Sequence, residues 1–262
     1  MQVNGIELYY ELCGPEDGEV LVLSNGILMS TASWGLQKSV LSRRNRLLLY
    51  DCRGMWKSAH PAGPYTMELH ADDLAALLDE LGIERAHIGG ISYGGEVSMA
   101  FALKYPQRVR SLILSSTVSQ SDAILCGQIG SWRKAVVARS ADMFFQASYW
   151  MNFSAAWIEA NQPALAVTAQ RYQDLDFDAL LELIDCFSRF NITGRLPEIT
   201  APTLVMVGEL DILKPRRFAE LLAGRIPGAE LVVVPGAGHA LCVEKPEVFN
   251  TLVAGFLAKY SG

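Results

Sequence analysis

Ser92 stands in the run Gly90-Ile91-Ser92-Tyr93-Gly94-Gly95, between a short apolar stretch at 86–89 and an apolar helical stretch at 97–103. Glycine two residues to either side relieves the crowding that side chains would cause in a sharp strand-to-helix turn. Such a turn presents the hydroxyl to a cleft. The start of the next helix then aims backbone amides and a positive dipole end at the place where an oxyanion would develop. The plainer alternative is a serine in an ordinary glycine-rich turn, and the flanking strand and helix argue against it. A serine hydroxyl is a poor nucleophile unaided, so this chemistry demands a base within hydrogen-bond reach and a group that orients the base.

The sequence offers four histidines. His239 closes Pro235-Gly236-Ala237-Gly238-His239 directly after a strand-like run, where a loop reaches the same cleft. His60 and His70 lie in the polar stretch leading into a leucine-rich helix, and His87 opens a strand, so packing or surface roles suit these three. The orienting acid should follow a strand between Ser92 and His239. Asp211, at the end of Gly208-Glu209-Leu210-Asp211, does so. Glu209 is its rival, with a plainer role in pairing with a base or holding the loop.

These residues need a scaffold that gathers strand ends. β-Branched runs at 6–12, 20–24, 46–50, 86–89 and 109–115 alternate with helical patterns, and each is bounded by Gly, Pro, Asn or Asp. The clearest helix spans 66–81, with Leu69, Leu74, Leu77, Leu78 and Leu81 at helical spacing between a Thr66 cap and Gly82. Strands return at 203–207 and 230–234, with helices at about 215–225 and 246–260. The alternation predicts the α/β class: a mostly parallel sheet flanked by helices. Between 119 and 196 no strand pattern appears, and Trp132, Phe144, Phe145, Tyr149, Trp150, Phe153 and Trp157 accumulate in helical surroundings. The expected organisation is a core of residues 1–118 and 197–262 with a helical cap at 119–196. Trp34, Trp132, Phe145, Tyr149 and Trp150 are candidates for the wall of an apolar substrate pocket; packing inside the cap is the plainer role for each aromatic residue there.

Over essentially its whole length the sequence resembles the α/β-hydrolase superfamily, whose order of nucleophile, acid and histidine is that of Ser92, Asp211 and His239. Local motifs resemble 3-oxoadipate enol-lactonases: Ser24-Asn25-Gly26-Ile27 running on to Trp34, Tyr50-Asp51-Cys52-Arg53-Gly54, Gly63-Pro64-Tyr65-Thr66, and Gly236-Ala237-Gly238-His239 followed by Glu244-Lys245-Pro246-Glu247. The resemblance implies an α/β-hydrolase fold, an ester- or lactone-cleaving serine enzyme, and an oxyanion hole made by the amides of Tyr93 and Ile27. Where the family commonly has Arg-Gly-His-Gly-x-Ser, this chain reads Arg53-Gly54-Met55-Trp56-Lys57-Ser58, a remodelled loop. Asn25-Gly26 with Ser30-Thr31-Ala32-Ser33 also resembles hydroxyacyl transferases acting on carrier-protein thioesters, which keeps acyl transfer or thioester cleavage open. Ligand receptors on this fold, with slow turnover, are the alternative from another class.

The remaining features narrow the partners. A formal net charge of −6 without a long basic run gives no footprint for nucleic acid or anionic lipid. No signal-peptide layout and no uninterrupted apolar span are present, so a cytoplasmic protein with no membrane partner is expected. Five widely spaced cysteines fit reduced, mostly buried thiols. No phosphate-loop, dinucleotide or metal motif stands out, and His70-Ala71-Asp72-Asp73 reads as the polar face of a helix, so no cofactor and no metal are expected. The expected partner is a small-molecule acyl substrate. Arg133, Lys134, Arg139, Arg171 and Arg189 could bind a substrate carboxylate, although solvated surface charge is the plainer reading for each.

Overall fold

The computed structural model describes residues 1–260. Strands β1 (Gln2–Val3) and β2 (Ile6–Glu7) form a small antiparallel hairpin. The main sheet has seven strands: β3 (Tyr10–Cys13), β4 (Val20–Ser24), β5 (Arg46–Tyr50), β6 (Ala86–Ile91), β7 (Val109–Ser115), β8 (Thr203–Gly208) and β9 (Glu230–Val234). Their spatial order is β3-β5-β4-β6-β7-β8-β9, with β3 antiparallel to β5 and the other pairs parallel. This is the α/β-hydrolase fold the sequence predicts. The expected strand at 6–12 is in fact two strands. Leu8 is fully buried between them, and the Tyr9 amide donates to Ser58 Oγ while its carbonyl accepts from Asp51, so the chain changes partners there.

Helices α1 (Gly35–Leu41), α2 (Met67–Glu80) and α3 (Tyr93–Lys104) fall among the first strands. The stretch between β7 and β8 holds α4 (Ala123–Val137), α5 (Ala141–Asn152), α6 (Ala155–Ala160), α7 (Gln162–Arg171) and α8 (Phe177–Ser188). Helix α9 (Arg216–Arg225) precedes β9, and α10 (Leu241–Glu244) and α11 (Pro246–Tyr260) complete the described chain. Helix α2 starts as its sequence dictates: Thr66 Oγ1 accepts from the Leu69 amide, and Gly82 adopts φ +65 just past its end.

Strands β4, β6 and β8 are buried along their whole length because helices cover both sheet faces. Val22, Leu48, Ile88, Leu112 and Leu114 pack with α2, α3 and the inserted helices. Leu21, Leu23, Leu47, Leu49 and Ile113 pack on the opposite face with Trp34, Leu41, Phe249, Val253 and Phe256. Among the described residues no helix is long and apolar enough to cross a membrane, and no group of three or more His, Cys, Asp or Glu could hold a metal ion. Cys52, Cys186 and Cys242 are buried, Cys13 is half-buried and Cys126 is exposed; all five are free thiols.

Candidate active site

Ser92 follows β6 and caps α3 at φ 56, ψ −116, a left-handed-side conformation that costs on the order of 1–3 kcal/mol for a residue other than glycine. The neighbouring glycines are what make the turn buildable. A Cβ on Gly90 would collide with the backbone of Gly94, and one on Gly94 with the Ser24 carbonyl. The strained peptide is held by hydrogen bonds on both sides: the Ser92 amide donates to the Ser115 carbonyl at 2.9 Å, and its carbonyl accepts from Thr117 Oγ1 at 2.7 Å.

The other two residues come from the loops after β8 and β9. The Leu210 amide donates to the Ala237 carbonyl at 2.8 Å and the Glu209 amide to Val234 at 2.9 Å, which joins the two loops. Asp211 Oδ2 accepts from His239 Nδ1 at 2.9 Å; its Oδ1 accepts from the amides of Leu213 at 3.0 Å and Lys214 at 2.8 Å. The carboxylate is thus fully engaged, and the imidazole is held with Nε2 as its free nitrogen. Glu209, the rival carboxylate, accepts from the Gly236 amide at 2.9 Å and holds the loop. Ser92, Asp211 and His239 are all buried on the edge formed by the carboxyl ends of the parallel strands. No hydrogen bond joins Ser92 Oγ to His239 Nε2, and neither atom bonds to any other described residue; such contacts are often long before substrate binds.

Ile27, Ser92 and Tyr93 share one small cavity with Leu125, Trp132, Phe187, Leu213 and Lys214. It encloses ≈ 240 Å³ of empty space, part of it open to solvent. Tyr93 is the first residue of α3, so its amide lacks an acceptor within the helix. The Ile27 amide likewise meets no acceptor among the described residues. Gly26 to Met29 form a tight turn closed by the Met29 amide on the Gly26 carbonyl at 3.0 Å, with Leu28 at φ 73 in the position that usually demands glycine.

The candidate pocket residues separate. Trp132 lines the cavity, its Nε1 anchored to the Ala147 carbonyl at 3.0 Å. Trp34 does not: it is fully buried beneath the opposite sheet face against Phe249, and its Nε1 donates to Asn25 Oδ1 at 2.7 Å. Phe145 and Tyr149 are outside the cavity walls and stack on each other at 4.9 Å within the inserted helices, and Trp150 is 43 % exposed. Among the cationic candidates, Arg133 and Arg139 pair with Asp185 and Asp178 at the surface, Lys134 is exposed, and Arg189 donates to the Tyr65 carbonyl. The polar-face reading of 70–73 also gives way. His70 and Asp73 are buried, His70 Nε2 meeting Tyr93 OH at 2.6 Å and Asp73 taking a bidentate pair from Arg53 at 2.8 and 2.7 Å. Burial and the nearby Arg53 charge lower the His70 pKa to about 3, so the ring is neutral.

Other residues near the site make contacts that their sequence positions do not announce. The remodelled loop places Trp56 so that its Nε1 donates to the Leu28 carbonyl at 2.9 Å, and Arg171 of α7 lies 3.7 Å over the indole while donating to Ser30 Oγ at 2.8 Å. Burial lowers the Arg171 pKa and the nearby Asp51 opposes that shift. Glu244 accepts from the Gly238 amide, next to His239, and from the Ser154 amide and hydroxyl in the inserted segment. Lys214 and Glu96, one helical turn after Ser92, form an ion pair with side chains 3 % and 0 % exposed.

The sequence profile of the alpha/beta hydrolase fold matches residues 19–246. The chain belongs to the α/β-hydrolase family. Among curated relatives of this hydrolase are proteins named "Putative carbamate hydrolase RutD" from Azorhizobium caulinodans, 31% identical over 95% of this chain and 94% of its own, and from Stutzerimonas stutzeri, 33% identical over 97% and 98%. Of solved structures, the enol-lactonase from Burkholderia xenovorans superposes with a TM-score of 0.91 at 27% identity, covering 98% of both chains. A hydrolase from Pseudomonas aeruginosa superposes at 0.88 and 32% identity, covering 98% and 96%. The chain is therefore a hydrolase of the α/β-hydrolase fold.

Proposed function

We propose that this hydrolase cleaves a carboxylic ester or lactone of a small-molecule acyl substrate through an acyl-enzyme on Ser92. The observation that carries the reading is the Asp211–His239 contact at 2.9 Å, which leaves Nε2 free at the strand edge that also carries the strained Ser92. In the first step His239 Nε2 takes the Ser92 proton as Oγ attacks the carbonyl carbon. The tetrahedral oxyanion accepts from the amides of Ile27 and Tyr93, and the imidazolium returns its proton to the departing alkoxide. Water, deprotonated by the same nitrogen, then releases the acid and restores Ser92. Asp211 remains ionised throughout, fixing the tautomer and stabilising the imidazolium. No metal or organic cofactor takes part in this scheme.

The curated relatives favour a second reading, cleavage of a carbamate by the same steps, because the likeness to them runs through both the nucleophile turn and the histidine loop. A panel of esters of increasing acyl length, lactones, thioesters and carbamates, run with the parent and with Ser92→Ala, tests both. Serine chemistry requires that Ser92→Ala lose turnover of every substrate. A preferred class below about tenfold over the others, or equal turnover by the variant, contradicts the assignment. Acceleration by added thiols or alcohols would instead mark a transferase.

A further inference from the structure

The cavity at Ser92 has apolar walls apart from the serine itself, with one charged residue, Lys214. That ammonium is 3 % exposed and carries three N–H donors. One goes to Glu96 Oε1 at 2.5 Å; the Phe187 ring centroid lies 5.7 Å away; no other described residue accepts from it. Glu96 is fully buried, and its second oxygen, Oε2, has no partner. A buried ion pair is weak evidence for a contribution to stability, because desolvating both charges offsets their attraction. Here it is also incompletely satisfied, with donors left unused on a residue that lines the cavity. Buried donors without acceptors are costly, and a ligand that supplies the acceptor recovers that cost on binding.

We infer that Lys214 is a specificity-determining residue that selects substrates carrying a second, uncharged acceptor oxygen (oxo, ether or hydroxyl) in the acyl part, beyond the scissile carbonyl. The inference rests on the reading of Ser92 as nucleophile. The acyl part is indicated because the leaving group must depart toward His239, and His239 is absent from the walls of this cavity. An uncharged oxygen is indicated because Lys214 and Glu96 already neutralise each other. A substrate carboxylate would add an unbalanced charge beside a buried pair, whereas an ether or keto oxygen accepts from the ammonium and leaves the pair intact.

The test compares phenyl esters matched in length: methoxyacetate and 3-oxobutyrate against butyrate, and 4-oxopentanoate against pentanoate. Each enzyme's preference is the ratio of kcat/KM within a pair, which is then compared between the parent and the neutral pair variant Lys214→Met with Glu96→Gln; intrinsic ester reactivity cancels in that comparison. A hydrogen bond from a charged donor corresponds to about 10- to 100-fold, so the preference for at least one oxygenated ester should fall by that factor in the variant. Preferences that agree within twofold for all pairs overturn the inference. Calorimetry on the parent alone keeps it testable if the variant does not fold. Methoxyacetamide, acetoacetamide and 4-oxopentanamide are titrated against butanamide and pentanamide, and about tenfold tighter binding of an oxygenated amide is expected. Equal affinities overturn the role of Lys214. A parent that binds the oxygenated amides preferentially but hydrolyses no ester refutes the serine-esterase reading alone.

Discussion

Replacing Trp56 by Phe removes one N–H and keeps an aromatic ring beneath Arg171, so it isolates the hydrogen bond to the Leu28 carbonyl. That bond holds a turn whose second central residue, Leu28, sits at φ 73 without being glycine, and the same turn carries the Ile27 amide. The bond contributes about 1 kcal/mol, and the strain it helps to hold is of similar size, about 1 kcal/mol at the low end of its range. Together they bound the effect at about 2 kcal/mol, a factor of roughly 5 to 30 in rate. This stays below the loss of about 100- to 1000-fold that follows removal of an oxyanion donor outright. Because the oxyanion exists only in the transition state, kcat should fall by that factor with KM within about twofold. Initial rates on a short-chain p-nitrophenyl ester measure both. Adding Leu28→Gly, which places the one residue at ease with positive φ in the turn, should recover most of the lost kcat. A Trp56→Phe enzyme with unchanged kcat, or one that loses only substrate affinity, refutes the argument that this tryptophan positions the first loop.

Asp211→Asn keeps the shape of the acid but lets His239 adopt the other tautomer; kcat on the same ester should drop by about 10⁴-fold with little change in the melt. Glu244→Ala strips the acceptor from the amides of Gly238 and Ser154 and from the Ser154 hydroxyl, at a cost of about 2–4 kcal/mol; differential scanning calorimetry should show the melting temperature lowered by about 4–7 °C. His70 supplies an acid-side dependence. Its folded pKa of about 3 lies below the ordinary 6.5, so between those values the unfolded chain binds a proton that the folded chain refuses. Its stabilising contribution is complete above pH 6.5 and is lost as pH falls, by about 2 kcal/mol between pH 7 and 5. Urea unfolding at the two pH values should show that loss reduced in His70→Gln, which keeps a polar partner for Tyr93 but does not titrate; an unchanged difference would assign the dependence to other groups.

What the sequence reveals here depends on how far apart the interacting residues are. The turn at Ser92 is legible because its constraint is local: the glycines that would collide if they carried side chains lie two residues away on each side. The loops of Asp211 and His239 are legible because each follows an apolar run that forms a parallel strand, β8 buried and β9 half-buried at the edge of the sheet. The Lys214–Glu96 pair spans 118 residues, and Glu244 reaches Ser154 across 90, so neither motif announces its partner. Trp34 shows the same limit: its place in a loop motif suggested a pocket wall, but the chain turns it beneath the sheet, where its indole N–H fixes Asn25. The aromatic residues of the inserted helices are all at helical spacing, and nothing in that spacing distinguishes Trp132, which faces the cavity, from Phe145 and Tyr149, which face each other.

Intact-mass analysis of the enzyme quenched during turnover of a slow aryl ester, followed by peptide mapping, reaches the nucleophile itself. The account predicts one acyl group per chain, borne by Ser92 and missing from Ser92→Ala. Steady turnover with no adduct, or an adduct on any other residue, contradicts it.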